Sequence, residues 1–96
     1  MKIGELDKLL KPLTERDTQM GLVPTLKDIL IESVGRKKAK NMKQALGYHK
    51  LADKIMEAKD FVELGDMEYN TLKEGLEENP SRYFPYYLSQ AWEKIQ

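Results

Sequence analysis

The stretch PTLKDILIESVG, residues 24–35, carries the clearest structural signal in the chain. Thr25 is a favourable N-cap, and Asp28 stands three residues later, where an acidic side chain can reach back to the cap. The apolar residues that follow recur at helical spacing and end at Gly35, a residue type that commonly stops a helix. The stretch therefore predicts a helix over residues 25–34.

After this helix, the spacing of apolar residues predicts three more helices, over residues 39–59, 66–78 and 85–95. The first of these has a wide apolar arc, which predicts a central helix that is contacted from more than one direction. The arc consists of Met42, Ala45, Leu46, Ala52, Ile55 and Met56.

Before residue 25 the apolar spacing is interrupted by Gly4 and Pro12, so residues 1–24 are expected to form an irregular N-terminal arm. A short helix and a small β-hairpin both remain open for this arm. The whole chain, residues 1–96, is predicted to be a single, mainly α domain. We expect a small bundle of three to four helices, with a short β-hairpin or extended segments near the N-terminus and at 61–64.

The composition is that of a globular protein, with 41% apolar and 33% charged residues among 96. The chain has no cysteine, so disulfides and thiolate metal sites are excluded. Charges run through the first residues, and no apolar stretch reaches the length of a membrane span. We therefore expect a cytoplasmic protein that makes no membrane contact.

Catalytic chemistry has little support in the sequence. His49 is the single histidine, and no nucleophile motif or second ligand accompanies it. It falls on the apolar side of its helix, which predicts a buried or half-buried structural role. No glycine-rich phosphate loop is present either. We therefore expect a protein that is not an enzyme, with no catalytic residues, no cofactor and no metal site.

The charges are separated along the chain, with a basic segment over residues 36–54 and an acidic one over 57–78. The densest cations can contact phosphates and make nucleic-acid binding one hypothesis. These candidate residues are Arg36, Lys37, Lys38, Lys40 and Lys43. The simpler interpretation is a solvated face that partly neutralises the acidic segment, through surface pairs that contribute little each.

The stretch RYFPYYLSQAW, residues 82–92, holds most of the aromatic side chains. On a helical wheel Phe84 and Trp92 share a face with Leu88, Ala91 and Ile95, which predicts that both rings lie in the core. Tyrosine beside arginine is the mix that dominates protein–protein hot spots. The candidate protein-binding residues are therefore Arg82, Tyr83, Tyr86 and Tyr87.

Three blocks of the sequence together resemble a family of small uncharacterised accessory proteins of tailed bacteriophages and prophages. The blocks are TLKDILIESV, YHKLADKIMEAKDFVEL and YFPYYLSQAWEKIQ, in that order over about residues 22–96. The matching positions are Thr25, Leu26, Asp28, Ile29, Leu30, Leu51, Ala52, Lys54, Ile55, Val62, Glu63, Leu64, Pro85, Gln90, Ala91, Trp92 and Glu93. The family usually opens with an Asp-Gly turn, where this chain has TERDTQMG. The resemblance implies a phage origin and an accessory role, without established catalytic residues.

These observations favour a non-enzymatic phage accessory protein that binds a macromolecular partner. That partner is expected to be a host or phage protein that the chain inhibits or redirects in the host cytoplasm. Nucleic-acid binding through the basic segment is the second hypothesis. A self-assembling phage structural or morphogenesis component is the third, and exposure of Leu88 and Trp92 would favour it.

Overall fold

The computed structural model of the chain describes residues 1–78 and 84–96. The helices are α1 (Glu15–Gln19), α2 (Leu26–Gly35), α3 (Met42–Glu57), α4 (Asp66–Glu78) and α5 (Pro85–Ile95). The strands are β1 (Lys2–Ile3) and β2 (Val62–Glu63). The prediction of a small, mainly α fold with short extended segments near the N-terminus and at 61–64 is confirmed.

Helix α2 begins with the capping box that the sequence predicts. Thr25 Oγ1 accepts from the Asp28 N–H at 3.1 Å, and Asp28 Oδ2 accepts from the Thr25 N–H at 3.1 Å. Half of the residues of α2 are buried, because the helix packs against α3, α4 and α5. They are Leu26, Ile29, Leu30, Ser33 and Val34. Helix α2 is therefore the central helix of the bundle.

Helix α3 is peripheral, so the prediction that it is central is wrong. It packs mainly against α2 and buries a single face, formed by Leu51, Ala52 and Ile55. Other members of the predicted apolar arc are exposed, among them Met42 and Met56. A helical wheel shows how wide an apolar arc is, but the number of neighbouring elements decides how much of it is covered.

Helix α4 comes close to α2 at Gly75, which is buried. A Cβ atom on Gly75 would lie 2.9 Å from the backbone oxygen of Ser33. Real Cβ atoms do not approach an oxygen so closely, so the absence of a side chain lets the two helix backbones meet.

The start of α4 is held by Glu68. Its Oε1 accepts from the Gly65 N–H at 2.9 Å and from Lys54 Nζ at 2.9 Å. The hydrogen bond from Gly65, opposed in part by burial and reinforced by Lys54, holds the pKa of Glu68 below its ordinary value. Glu68 thus satisfies a free N–H at the beginning of α4 and joins α4 to α3.

Residues 1–24, the arm, run along the bundle without forming a local hairpin. Strand β1 pairs antiparallel with β2, so that Lys2 faces Glu63 and Ile3 faces Val62. Further along, the Leu10 N–H donates to the Pro24 carbonyl at 3.0 Å. The buried apolar side chains of the arm are Ile3, Leu6, Leu10 and Pro24. Of the two alternatives for the arm, the short helix is present as α1, capped by Thr14.

Candidate protein-binding site

An apolar pocket of about 450 Å³ lies between the arm and α5. We call it the arm pocket. It is lined by Asp17, Gly21, Leu22, Val23, Pro24, Asp28, Phe84 and Tyr87. Its volume is within the range of ordinary ligand pockets, about 300–1,000 Å³. Mostly apolar walls with a few polar groups are also typical of binding sites.

The arm reaches this position through a sharp turn after α1. Gly21 has φ +66°, a left-handed conformation that residues with a Cβ rarely adopt. The turn is closed by the Leu22 N–H, which donates to the Asp17 carbonyl at 2.9 Å. It directs Leu22, Val23 and Pro24 back along the wall of the pocket.

Tyr87 holds the opposite wall in place from within the core. It is 2% exposed, and its hydroxyl group donates to Asp17 Oδ2. The Tyr87 hydroxyl oxygen also accepts from the Leu13 N–H at 3.1 Å. Burial, together with the bond to Asp17, raises the pKa of Tyr87. The sequence predicted Tyr87 as a surface contact for a partner. That prediction is wrong, because the Tyr87 ring is buried and its hydroxyl group is hydrogen-bonded to the arm, which it joins to α5.

Gln90, one turn further along α5, fastens the arm at a second point. Its Oε1 accepts from the Lys11 N–H at 2.8 Å, and its Nε2 donates to the Lys11 carbonyl at 3.0 Å. The side-chain amide of Gln90 thus hydrogen-bonds both backbone groups of Lys11, as a neighbouring strand would. Sequence reasoning gave Gln90 and Asp17 no site role, since their partners are more than sixty residues away and no local spacing marks them.

Two exposed aromatic groups belong to this region. Phe84 lines the pocket and is 61% exposed, and Tyr86 is 40% exposed and packs edge-on against Tyr87, with 5.6 Å between the ring centroids. The prediction that Phe84 lies in the core is wrong. It is the N-cap of α5, with extended backbone at φ −66° and ψ 152°, so it does not follow the helical face that buries Ala91 and Ile95. Together with Leu22, 56% exposed, these rings give the pocket an apolar surround.

Of the other predicted contacts on this stretch, Arg82 and Tyr83 lie outside the described residues. Leu88 and Trp92 are partly buried and pack against the core. Exposed Leu88 and Trp92 side chains would favour self-assembly, but the structure does not show them exposed.

The predicted nucleic-acid residues divide into two groups. Arg36 Nε lies 2.9 Å from Glu32 Oε1, and Lys37 Nζ lies 2.8 Å from Glu78 Oε2. The bond to Glu78 raises the pKa of Lys37, whose side chain is only 6% exposed. Both cations are thus neutralised locally. The side chains of Lys38, Lys40 and Lys43 are exposed, and no ion pair involves them among the residues that the structure describes.

His49 is exposed, so the prediction of a buried or half-buried histidine is wrong. Its side chain is 70% exposed, and its Nε2 lies 3.0 Å from Asp53 Oδ2, one turn further along α3. The apolar side on which it falls is uncovered in the peripheral helix. Across residues 1–78 and 84–96, no three residues of metal-binding type come together.

Comparisons of the chain with protein-family models, curated proteins and solved structures find no match. The resemblance to phage accessory proteins therefore stays a prediction. No helix in the described part of the chain is both long enough and apolar enough to cross a lipid bilayer.

Proposed function

We propose that this chain is a non-enzymatic binding protein whose arm pocket receives a side chain of a protein partner. The observation that carries the proposal is an apolar pocket whose lining residues Leu22 and Phe84 are exposed, with the exposed Tyr86 packed edge-on against the pocket residue Tyr87. Clustered exposed apolar groups next to a concavity are a common feature of protein-interaction sites. Aromatic side chains also supply much of the energy of such interfaces.

The two carboxylates of the pocket define the complementary partner. Asp17 and Asp28 each accept hydrogen bonds from neighbouring groups, but a carboxylate has about four acceptor positions and can take a further donor. The partner is therefore an apolar or aromatic anchor with a lysine or arginine beside it. An acidic partner is disfavoured, since it would place like charges together as the pocket closes.

The biological setting follows from the resemblance alone. On that basis the partner is a host or phage protein, which the chain inhibits or redirects in the cytoplasm of the host. The chain then belongs to the accessory proteins of a tailed phage.

The test begins by using the whole chain as bait in host and phage-infected lysates and identifying the captured protein. Its affinity is then measured by calorimetry for the original chain and for Phe84→Ala and Tyr86→Ala. We expect a loss of about tenfold or more for at least one of them, as for truncation of an interface hot spot. Met67→Ala, at an 85% exposed methionine of α4, is the matched control. Unchanged affinity in both aromatic variants would exclude the arm pocket.

Nucleic-acid binding is a second candidate, supported by the three exposed lysines 38, 40 and 43. Three phosphate contacts predict a slope of about −3 for the logarithm of the DNA affinity against the logarithm of salt concentration. Lys38→Glu combined with Lys40→Glu should weaken binding equally for all sequences. Lys37→Glu is not a useful probe, because Lys37 already pairs with Glu78. Millimolar affinity at low salt would remove this candidate.

A further inference from the structure

The outward face of α3 carries a stripe of exposed side chains, three of them apolar, that no other element of the described chain covers. We define the stripe as Met42, Leu46, His49 and Met56, which are 74%, 53%, 70% (side chain) and 49% exposed. Asp53, which pairs with His49, lies on the same side of the helix between His49 and Met56. Successive members are four, three and seven residues apart, which places them on one side of the helix. Methionine and leucine at this exposure are the residue types found on helix-binding surfaces.

The stripe is symmetric about its own centre. Met42 stands seven residues before His49 and Met56 seven residues after it. If a second α3 lies antiparallel across the first with a two-fold axis at His49, each Met42 meets the Met56 of the other copy. Such an interface uses the same patch on both partners, as most homodimers do.

The charges beside the stripe have the same symmetry with opposite signs. Lys43 and Glu57 stand seven residues on either side of Lys50, within one residue of the same centre. Both are exposed, and within a monomer fourteen residues of helix separate them by about 21 Å, too far for an ion pair. In the antiparallel pair, Lys43 of each copy faces Glu57 of the other. Lys50 lies at the centre of this flank, beside the Lys50 of the other copy.

We propose that two copies of this chain associate through α3 in this antiparallel arrangement. A lipid surface or an acidic protein would favour a flank of one sign, whereas on this flank Lys43 and Glu57 stand at positions that exchange under the two-fold axis. A pocket of about 330 Å³ beside the stripe, lined in part by Ala45, Tyr48 and Met56, gives the flexible methionines of the other copy a place to pack.

The contact is small, so the dimer is expected to be weak. Helix α3 has 16 residues and a length of about 24 Å. A single pair of such helices buries less than the roughly 800 Å² per partner of a standard interface. We expect dissociation in the range of roughly 10–100 µM, as for a weak, transient association.

The test is sedimentation equilibrium of the whole chain between about 10 µM and about 1 mM. The average mass should rise towards twice the monomer value, and Leu46→Glu should keep the chain monomeric throughout. Met67→Glu, on α4, is the matched control and should dimerise like the original chain. A strict monomer at about 1 mM, or association that Leu46→Glu leaves intact, would overturn the proposal.

Charge reversal tests the antiparallel register itself. Lys43→Glu and Glu57→Lys should each weaken association by about threefold or more, and the double variant should restore it, because each reversed residue then meets its reversed partner. Failure of the double variant to recover would refute this register. Binding of the chain to anionic vesicles, without self-association, would assign the stripe to a lipid surface instead.

Discussion

Replacing Gly75 with alanine changes the free energy of unfolding in two opposite ways, through a gain in helix propensity and a loss from a steric clash. In an exposed helix, Gly→Ala stabilises by about 0.5–1 kcal/mol, because alanine loses less backbone entropy on folding. At Gly75 the new Cβ would lie 2.9 Å from the Ser33 backbone oxygen and 3.3 Å from its carbonyl carbon. An ordinary carbon–oxygen contact is about 3.3–3.6 Å, so α2 and α4 must separate by roughly 0.5 Å.

The surroundings leave little room for that movement. The obstructing atom is backbone, and Leu30 and Val34 on the same helix are completely buried. Inserting a methyl group into a tightly packed site costs about 1–3 kcal/mol. Subtracting the helix-propensity gain leaves a net loss of about 1–2 kcal/mol for Gly75→Ala. For a domain of this size, that loss lowers the melting temperature by roughly 5–15 °C.

Gly47→Ala is the matched control, since Gly47 lies within α3 and a Cβ there would meet nothing within 4 Å. It should raise stability by about 0.5–1 kcal/mol. Both variants are measured by urea unfolding, followed by circular dichroism and by the fluorescence of Trp92. We predict that Gly75→Ala lowers the free energy of unfolding whereas Gly47→Ala raises it. If Gly75→Ala proves as stable as Gly47→Ala, the close approach of α2 and α4 is not a real constraint.

Three further substitutions test other contacts. Glu68→Gln should cost about 0.5–1 kcal/mol at neutral pH. Because the pKa of Glu68 is lowered in the fold, its contribution is present above the unfolded-state pKa and disappears as the pH falls through the folded-state pKa. Urea unfolding should therefore show the stabilities of the two proteins converging as the pH falls below the ordinary pKa of a glutamate, about 4.3. Lys37→Ala should cost about 1–2 kcal/mol and Lys37→Met about half of that, since methionine keeps the buried apolar stem. Equal losses of stability for Lys37→Ala and Lys37→Met in thermal unfolding would contradict a role for the apolar stem. Tyr87→Phe should lower the melting temperature and speed hydrogen exchange at the Leu13 amide, and an unchanged exchange rate would show that this bond is not formed in solution.

Local features of the fold could be predicted from sequence because they depend on neighbours within a turn. The capping box of Thr25 and Asp28 is an example, since both partners lie within four residues. The separation of charges along the sequence also predicts that the acidic segment partly neutralises the basic one, and the ion pair of Lys37 with Glu78 is the clearest case.

The candidate site could not be predicted in the same way, because it depends on contacts between distant parts of the chain. Tyr87 can lie in the core because Asp17, seventy residues earlier, accepts a hydrogen bond from its hydroxyl group. Phe84 shares helical spacing with the buried face of α5, but the helix begins one residue later. Likewise, a helical wheel drawn for α3 alone predicts a buried His49, because it cannot show that α2 covers only one side of the helix.

The arm pocket and the α3 stripe are compatible in one molecule because α2 lies between the elements that form them. Helix α2 packs against both α3 and α5, and the residues lining the arm pocket include none from α3. An α3-mediated dimer would therefore leave both arm pockets open. It would present them in a two-fold arrangement, so a partner that is itself dimeric would be bound at two sites with increased avidity. A monomeric partner would gain nothing from this, and Leu46→Glu should then leave its affinity unchanged. The effect of Leu46→Glu on partner affinity thus separates the contribution of self-association from that of the pocket itself.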